Sequence, residues 1–202
     1  MNPLSMAKYG LIAVAVIGYI AYSNFSGTST SYTEESIDLN AVLDVTVDTI
    51  YAFEENAEGE PQLGPDETFI AFSEDLAENY NAAQPALHTK PIGVAPKTDA
   101  SLLAYEDLNS NNEMDQNEDA LFLIEVDGEN SRVIATSRSG AVNDHHFSGT
   151  SLLAGYLIGS MLSRQSAAGV NKSALANKQP VTAKAAASAR ARAGSGSHSS
   201  GK

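Results

Sequence analysis

Every acidic residue of this 202-residue chain lies between Glu34 and Asp144. That stretch holds 25 acids against four basic residues, Lys90, Lys97, Arg132 and Arg138, a formal charge of −21. From Arg164 to Lys202 the sign reverses, with seven basic residues and no acid. So acidic a body repels itself, and it folds only where apolar burial outweighs that repulsion. With 43% hydrophobic residues, the chain has the material for such a core. Its net charge of −13 speaks against a nucleic-acid partner, because phosphate neutralisation needs clustered Lys and Arg. The absence of Cys excludes disulfides, thiolate zinc sites and thiol nucleophiles.

An apolar segment borders the acidic body on each side. Leu4 to Phe25 is 22 residues without an acid, about 33 Å as a helix and long enough for a bilayer core of roughly 30 Å. Residues 1–25 therefore read as a transmembrane anchor, with a cleaved signal peptide as the rival because Ala21-Tyr22-Ser23 has a small-x-small form. Lys8 before the segment and Glu34 and Glu35 after it put the acidic body outside, on the periplasmic or extracellular side. Residues 26–33 are a polar linker. The second segment, within 147–164, spaces Ser151, Gly155, Gly159 and Ser163 four apart, one smooth stripe on a helix. Such stripes let helices approach closely in lipid, which suggests a homo-oligomer or membrane-protein partner beside the lipid itself. The favoured arrangement is a two-pass hairpin with both termini inside; a helix lying on the membrane or closing the body is the alternative. Residues 165–202 are rich in Ala, Ser, Gly, Lys and Arg, with few large apolar residues, and are expected to be disordered.

Within 34–146 the pattern predicts a small α+β domain. Ala41 to Phe53 alternates apolar and polar residues and is rich in β-branched side chains, which favours a strand over a helix. Ser73 to Ala83 reads as a short helix capped by Ser73. Pro85 to Lys97, with three prolines, reads as irregular. Ala120–Val126 and Arg132–Thr136, joined by Asp127-Gly-Glu-Asn, form a predicted hairpin. In Asp144-His145-His146 the adjacent imidazoles of an extended chain point to opposite faces, so they do not share one ion.

Between Glu106 and Asp119 runs the segment DLNSNNEMDQNE. Its oxygen-bearing residues recur at alternate positions, and it resembles the twelve-residue calcium loop of the EF-hand family. The resemblance covers residues 107–118 only. It implies Asp107, Asn109 and Asn111 as side-chain ligands at positions 1, 3 and 5, and the Glu113 carbonyl at position 7. Asp115 falls at position 9, Glu118 is the bidentate ligand at position 12, and Met114 occupies the inward apolar position. Asn112 replaces the family's glycine at the sharp turn, and Asn is the residue that best tolerates a positive φ after Gly. The flanks read as strands, not helices, and no second loop pairs with the first.

No nucleophile elbow, phosphate loop or dinucleotide fingerprint occurs. The sequence therefore predicts a non-catalytic, membrane-anchored envelope protein with an exported calcium-binding domain. A scaffold or assembly protein acting through the Gly-patterned helix, with calcium purely structural, is the alternative.

Overall fold

The computed structural model describes residues 37–57, 64–147 and 155–194. Its centre is a five-stranded antiparallel meander, β1 (Ile92–Pro96), β2 (Leu102–Glu106), β3 (Ala120–Asp127), β4 (Arg132–Ser137) and β5 (Val142–His146), in sequential order. Two long helices, α1 (Leu39–Ala57) and α2 (Pro65–Ala82), precede it; α3 (Tyr156–Ala167), α4 (Lys172–Ala176) and α5 (Ala183–Gly194) follow. The α+β class is as expected, and so is the β3–β4 hairpin.

Helix α1 replaces the expected strand. Its sequence satisfies two periods at once, and burial decides between them. Leu39, Val42, Leu43, Thr46, Val47 and Ile50 are buried at three- and four-residue spacing, which places them on one face of a helix. The two threonines that suggested a strand donate their hydroxyls to the carbonyls of Val42 and Val45, one turn back, both at 2.7 Å. Asp38 accepts the Asn40 N–H at 2.9 Å and starts the helix. Helix α2 begins earlier than Ser73, at Pro65, where proline's missing N–H costs nothing. Ser73 lies inside it and donates to the Ile70 carbonyl.

One face of the sheet, formed by Ile92, Val94, Leu102, Ala104, Phe122, Ile124, Val126, Val133 and Ala135, packs under α1 and α2. Edge-on aromatic contacts join the layers: Phe53 to Phe72 at 5.5 Å and Tyr80 to Phe122 at 5.4 Å. The Tyr80 hydroxyl is held by Thr46 Oγ1 at 2.6 Å, so the deepest polar group of this layer is paired.

Strand β1 corrects the expectation of irregular chain over residues 85–97. It is a five-residue edge strand bracketed by Pro91 and Pro96. The Asn81 side chain occupies its outer side, accepting from Ile92 N–H and donating to Ile92 C=O, both at 2.8 Å. At the opposite edge Val181 pairs with Val142 through two backbone hydrogen bonds of 2.8 and 2.9 Å. Each margin of the sheet is thereby covered at one residue, Ile92 on β1 and Val142 on β5.

The membrane expectations are corrected. Among the described residues no helix is long and apolar enough to cross a membrane. Helix α3, the heart of the second predicted span, has 12 residues, about 18 Å, against roughly 30 Å of hydrocarbon. It is instead a helix of the body. Leu157, Ile158 and Met161 are buried in the common core, and Gln165 donates to the Val126 carbonyl at 2.9 Å. Arg164 sits over the Phe69 ring at 5.2 Å and pairs with Asp66. The two-pass hairpin falls with this finding, and so does the membrane placement of the acidic domain on an outer face. The predicted anchor or signal peptide at 1–25 lies outside the described residues. Disorder over 165–202 is likewise corrected for residues 165–194, which continue α3 and form α4 and α5.

Candidate functional site

Strand β2 runs into the acidic loop and β3 runs out of it. A bulge precedes it: Ala104 pairs with Phe122 but Tyr105 with Ala120, leaving Leu121 extra. The Leu121 carbonyl is taken by Arg138 N–H at 3.0 Å. The bulge sets the direction in which the loop leaves the sheet.

The loop is closed by its first and last carboxylates, Asp107 and Glu118, each 4% exposed. Asp107 accepts the N–H groups of Asn111 at 3.2 Å and Asn112 at 3.1 Å. Glu118 straddles the loop, accepting Leu108 N–H and Asp115 N–H, both at 2.8 Å. Asn109 and Asn111 each accept the N–H two residues on. Their amide nitrogens both donate to Asp115 Oδ2, at 2.8 and 3.2 Å. Asn112 has φ +59°, the left-handed turn that the sequence required at this position. Met114 is half-buried and Glu113 is exposed. Asp107, Asn109, Asn111, Asp115 and Glu118 are thus joined in one hydrogen-bonded loop, with Glu113 on its rim.

One expectation is corrected here. Among the described residues no group of three or more His, Cys, Asp or Glu side chains is gathered closely enough to hold a metal ion. The metal-binding and calcium-binding description is not met by the loop in this conformation. The physical reason is visible in its bonds: the oxygens meant for a cation accept backbone and amide N–H groups instead.

Beneath the loop lies Tyr105, fully buried, whose hydroxyl has no hydrogen-bond partner. Burial raises its pKa, and the nearby Asp107, Glu118, Glu113 and Asp115 carboxylates raise it further. The ring lies across Gly93 of β1: a Cβ there would come within 2.3 Å of Tyr105 Cζ. Glycine is what lets the ring pass.

Two clusters built around a buried charged side chain went unnoticed in the sequence. Glu106, beside the loop, accepts from His88 Nε2 at 3.0 Å and Lys90 Nζ at 2.6 Å. Burial alone would raise the Glu106 pKa, but these two partners outweigh it and hold the carboxyl below its ordinary value. The second cluster surrounds Arg132, 4% exposed. Its Nε donates to Asp127 at 2.9 Å and its Nη1 to Asp144. Its Nη2 reaches the carbonyls of Leu175 at 3.1 Å, Ala176 at 3.2 Å and Lys178 at 2.9 Å. One guanidinium thus caps the C-terminus of α4 and ties it to β4. Lys178 pairs with Glu125 and Asn130 donates to the Ala176 carbonyl, fixing the same segment. Asp127 is held below its ordinary pKa: burial opposes ionisation, but Asn130 and Arg132 prevail. Burial likewise opposes the Arg132 charge, and Asp127 and Asp144 override it, raising its pKa. The available signal was an arginine inside a strand of an otherwise acidic body.

The small-residue stripe divides. Ser151 lies outside the described residues. Gly155 meets Glu54 so closely that a Cβ would lie 2.3 Å from Oε1. That carboxylate accepts the N–H groups of Tyr156 at 3.0 Å and Leu157 at 2.8 Å, capping α3. Gly159 and Ser163 are exposed. On β5, His145 faces Asp44 at 3.5 Å while His146 lies 3.7 Å from Asp144 on the opposite face, as the alternation required.

Comparison with known protein families, curated proteins and solved structures yields no match.

Proposed function

We propose that the chain is a non-catalytic assembly platform, whose acidic α+β body fixes and presents a basic C-terminal arm. The observation that carries this reading is the Arg132 clamp. A buried guanidinium, two carboxylates and three main-chain carbonyls are committed to holding residues 175–178 against the sheet. Beyond the clamp, Val181 is added to β5, and α5 then leaves with its side chains exposed from Ala183 to Arg192, save Ala186. The exit of the arm is rigid while the arm itself contributes little to the core. The test is deletion of residues 183–202. The shortened chain should keep its far-UV spectrum and melt within about 2 °C of the parent, as expected for loss of exposed residues. Collapse of the fold would make α5 a core element and overturn the reading.

A second reading concerns calcium as a structural cofactor, and the backbone of the loop favours it. Asn112 already adopts the turn, and six hard oxygen donors, from Asp107, Asn109, Asn111, Glu113, Asp115 and Glu118, suit Ca²⁺ by chemistry and number. In this reading the ion displaces the amide contacts to Asp115 and draws the carboxylates of a −21 body inward. With millimolar ion in ten-fold excess over the dissociation constant, folding gains about 1.4 kcal/mol. The chain should then melt higher in calcium than in chelator, and Glu118→Gln should abolish the difference. An equal shift in the variant would reduce the effect to screening of acids.

A further inference from the structure

Residues 171–182 lie against the sheet as a strap, and the chain that joins them to α3 holds on to nothing. Helix α3 completes its own end: Val170 N–H donates to the Gln165 carbonyl at 2.9 Å and Gly169 N–H to that of Ser166 at 3.2 Å, with Gly169 at φ +71°. Helix α4 starts on its own cap, the Asn171 side chain accepting Ala174 N–H at 3.1 Å. Among the described residues, no hydrogen bond or ion pair ties the side chains or main chain of 166–174 to the sheet. All of them are exposed except the half-buried Val170, and a Cβ on Gly169 would meet nothing within 4 Å. The link is a hinge between two self-capped helices.

The ties to the body begin at Leu175. Its side chain is buried, Lys178 pairs with Glu125, and Val181 exchanges two backbone hydrogen bonds with Val142. With the three carbonyls on Arg132 Nη2, these contacts read a pattern of Leu, Lys and Val three residues apart, in part through main-chain atoms that any copy of the segment presents. The seat is incomplete without a strap, because an empty one takes from a buried guanidinium every acceptor of its Nη2. Nothing in these contacts depends on which chain the strap belongs to.

We propose that the Arg132 seat is a peptide-binding site for residues 175–181 that takes the strap of a second copy as well as its own, so that two copies join by exchanging straps. Reciprocal exchange makes the same bonds twice and closes a two-fold dimer. Within one copy the short link supplies the strap at an effective concentration on the order of millimolar, so the chain's own strap prevails in dilute solution. The inference rests on the reading of the clamp as the holder of the arm and adds whose arm it holds.

Full-length variants test it. Leu175→Ser weakens the strap and keeps the seat, whereas Arg132→Met breaks the seat and keeps the strap; circular dichroism verifies each fold. In sedimentation equilibrium each variant alone should be monomeric. An equimolar mixture should form a one-to-one dimer, because only the mixture offers a whole strap to a vacated whole seat. A labelled peptide of residues 170–182, followed by fluorescence anisotropy, decides the matter alone where Arg132→Met does not fold. It should bind the Leu175→Ser protein at least about ten-fold tighter than the parent, whose own strap competes. The same peptide carrying Leu175→Ser should bind at least about ten-fold more weakly. Where the Leu175→Ser protein loses its fold, Lys178→Glu takes its place, setting two carboxylates face to face at Glu125. The proposal is overturned if the mixture of folded variants stays monomeric, or if either variant dimerises alone. It is equally overturned if the peptide fails to prefer the weakened protein, or if both strap variants unfold, which would make the strap a fixed part of the core. None of these outcomes involves residues 183–202, so unfolding on their deletion strikes at the platform reading instead.

Discussion

Replacing Arg132 by methionine removes the guanidinium while keeping most of the stem's volume. Asp127 and Asp144, with side chains 1% and 13% exposed, then remain buried without their cation. Breaking a buried pair from one side costs about 3–5 kcal/mol. Asp127 retains the Asn130 amide at 2.8 Å, which favours the lower part of that range. The carbonyls of Leu175, Ala176 and Lys178 lose their donor, adding about 1 kcal/mol. A loss of about 4 kcal/mol corresponds to about 8–16 °C in Tm for a chain of this size. Urea unfolding followed by circular dichroism near pH 7 measures it. A second measurement near pH 3 tests the cause. The folded pKa of Asp127 is depressed, so the pair's contribution is present above the ordinary carboxylate value and is lost as pH falls through the folded one. The gap between parent and variant should therefore narrow in acid. Arg132→Lys should recover little, because one ammonium does not reach both carboxylates and the three carbonyls. A loss below about 1 kcal/mol, or a gap that ignores pH, would refute the clamp as the source of stability.

Gly93→Ala sets a methyl 2.3 Å from the Tyr105 ring and should destabilise by about 1–3 kcal/mol in denaturant titration; an unchanged midpoint would mean that the ring moves freely. Tyr105→Phe deletes a buried hydroxyl that has no partner, so stability should hold or rise by up to about 1 kcal/mol, and a clear loss would reveal a bond to that oxygen. Glu106→Gln should cost about 1–3 kcal/mol near pH 7 by weakening the bonds from Lys90 and His88. Because the folded pKa of Glu106 is depressed, the parent loses this contribution as pH falls below the ordinary glutamate value, and the two stability curves should converge there. Parallel curves would count against the ion pairs.

The parts of this fold that could be read from sequence are those whose cause is local. The β3–β4 hairpin follows from alternating residues around a turn in which Asp127 accepts the N–H groups of Glu129 and Asn130. The 107–118 loop follows from the spacing of its oxygens, down to the positive φ of Asn112. Elements decided by distant partners were hidden. Ala41–Phe53 fits both periods, and only burial beside α2 and over the sheet selects the helix. Strand β1 is short and bounded by prolines, and the Asn81 side chain completes its outer bonds from a different element. Residues 171–182 look too polar to order themselves. Much of what orders them is Arg132, some forty positions earlier, acting on main-chain carbonyls that leave no trace in side-chain pattern. Helix α3 misleads for a related reason: the same glycine spacing that suits lipid lets Gly155 receive the Glu54 carboxylate.

Asn81 on one outer strand and Val181 on the other each occupy one residue of an edge that a neighbouring molecule could otherwise use for stacking. Growth by strand addition, the route into cross-β fibres, is thereby hindered at one position on each edge. A shortened chain ending before Val181 would lose that guard on β5 and should be the form most prone to fibril formation.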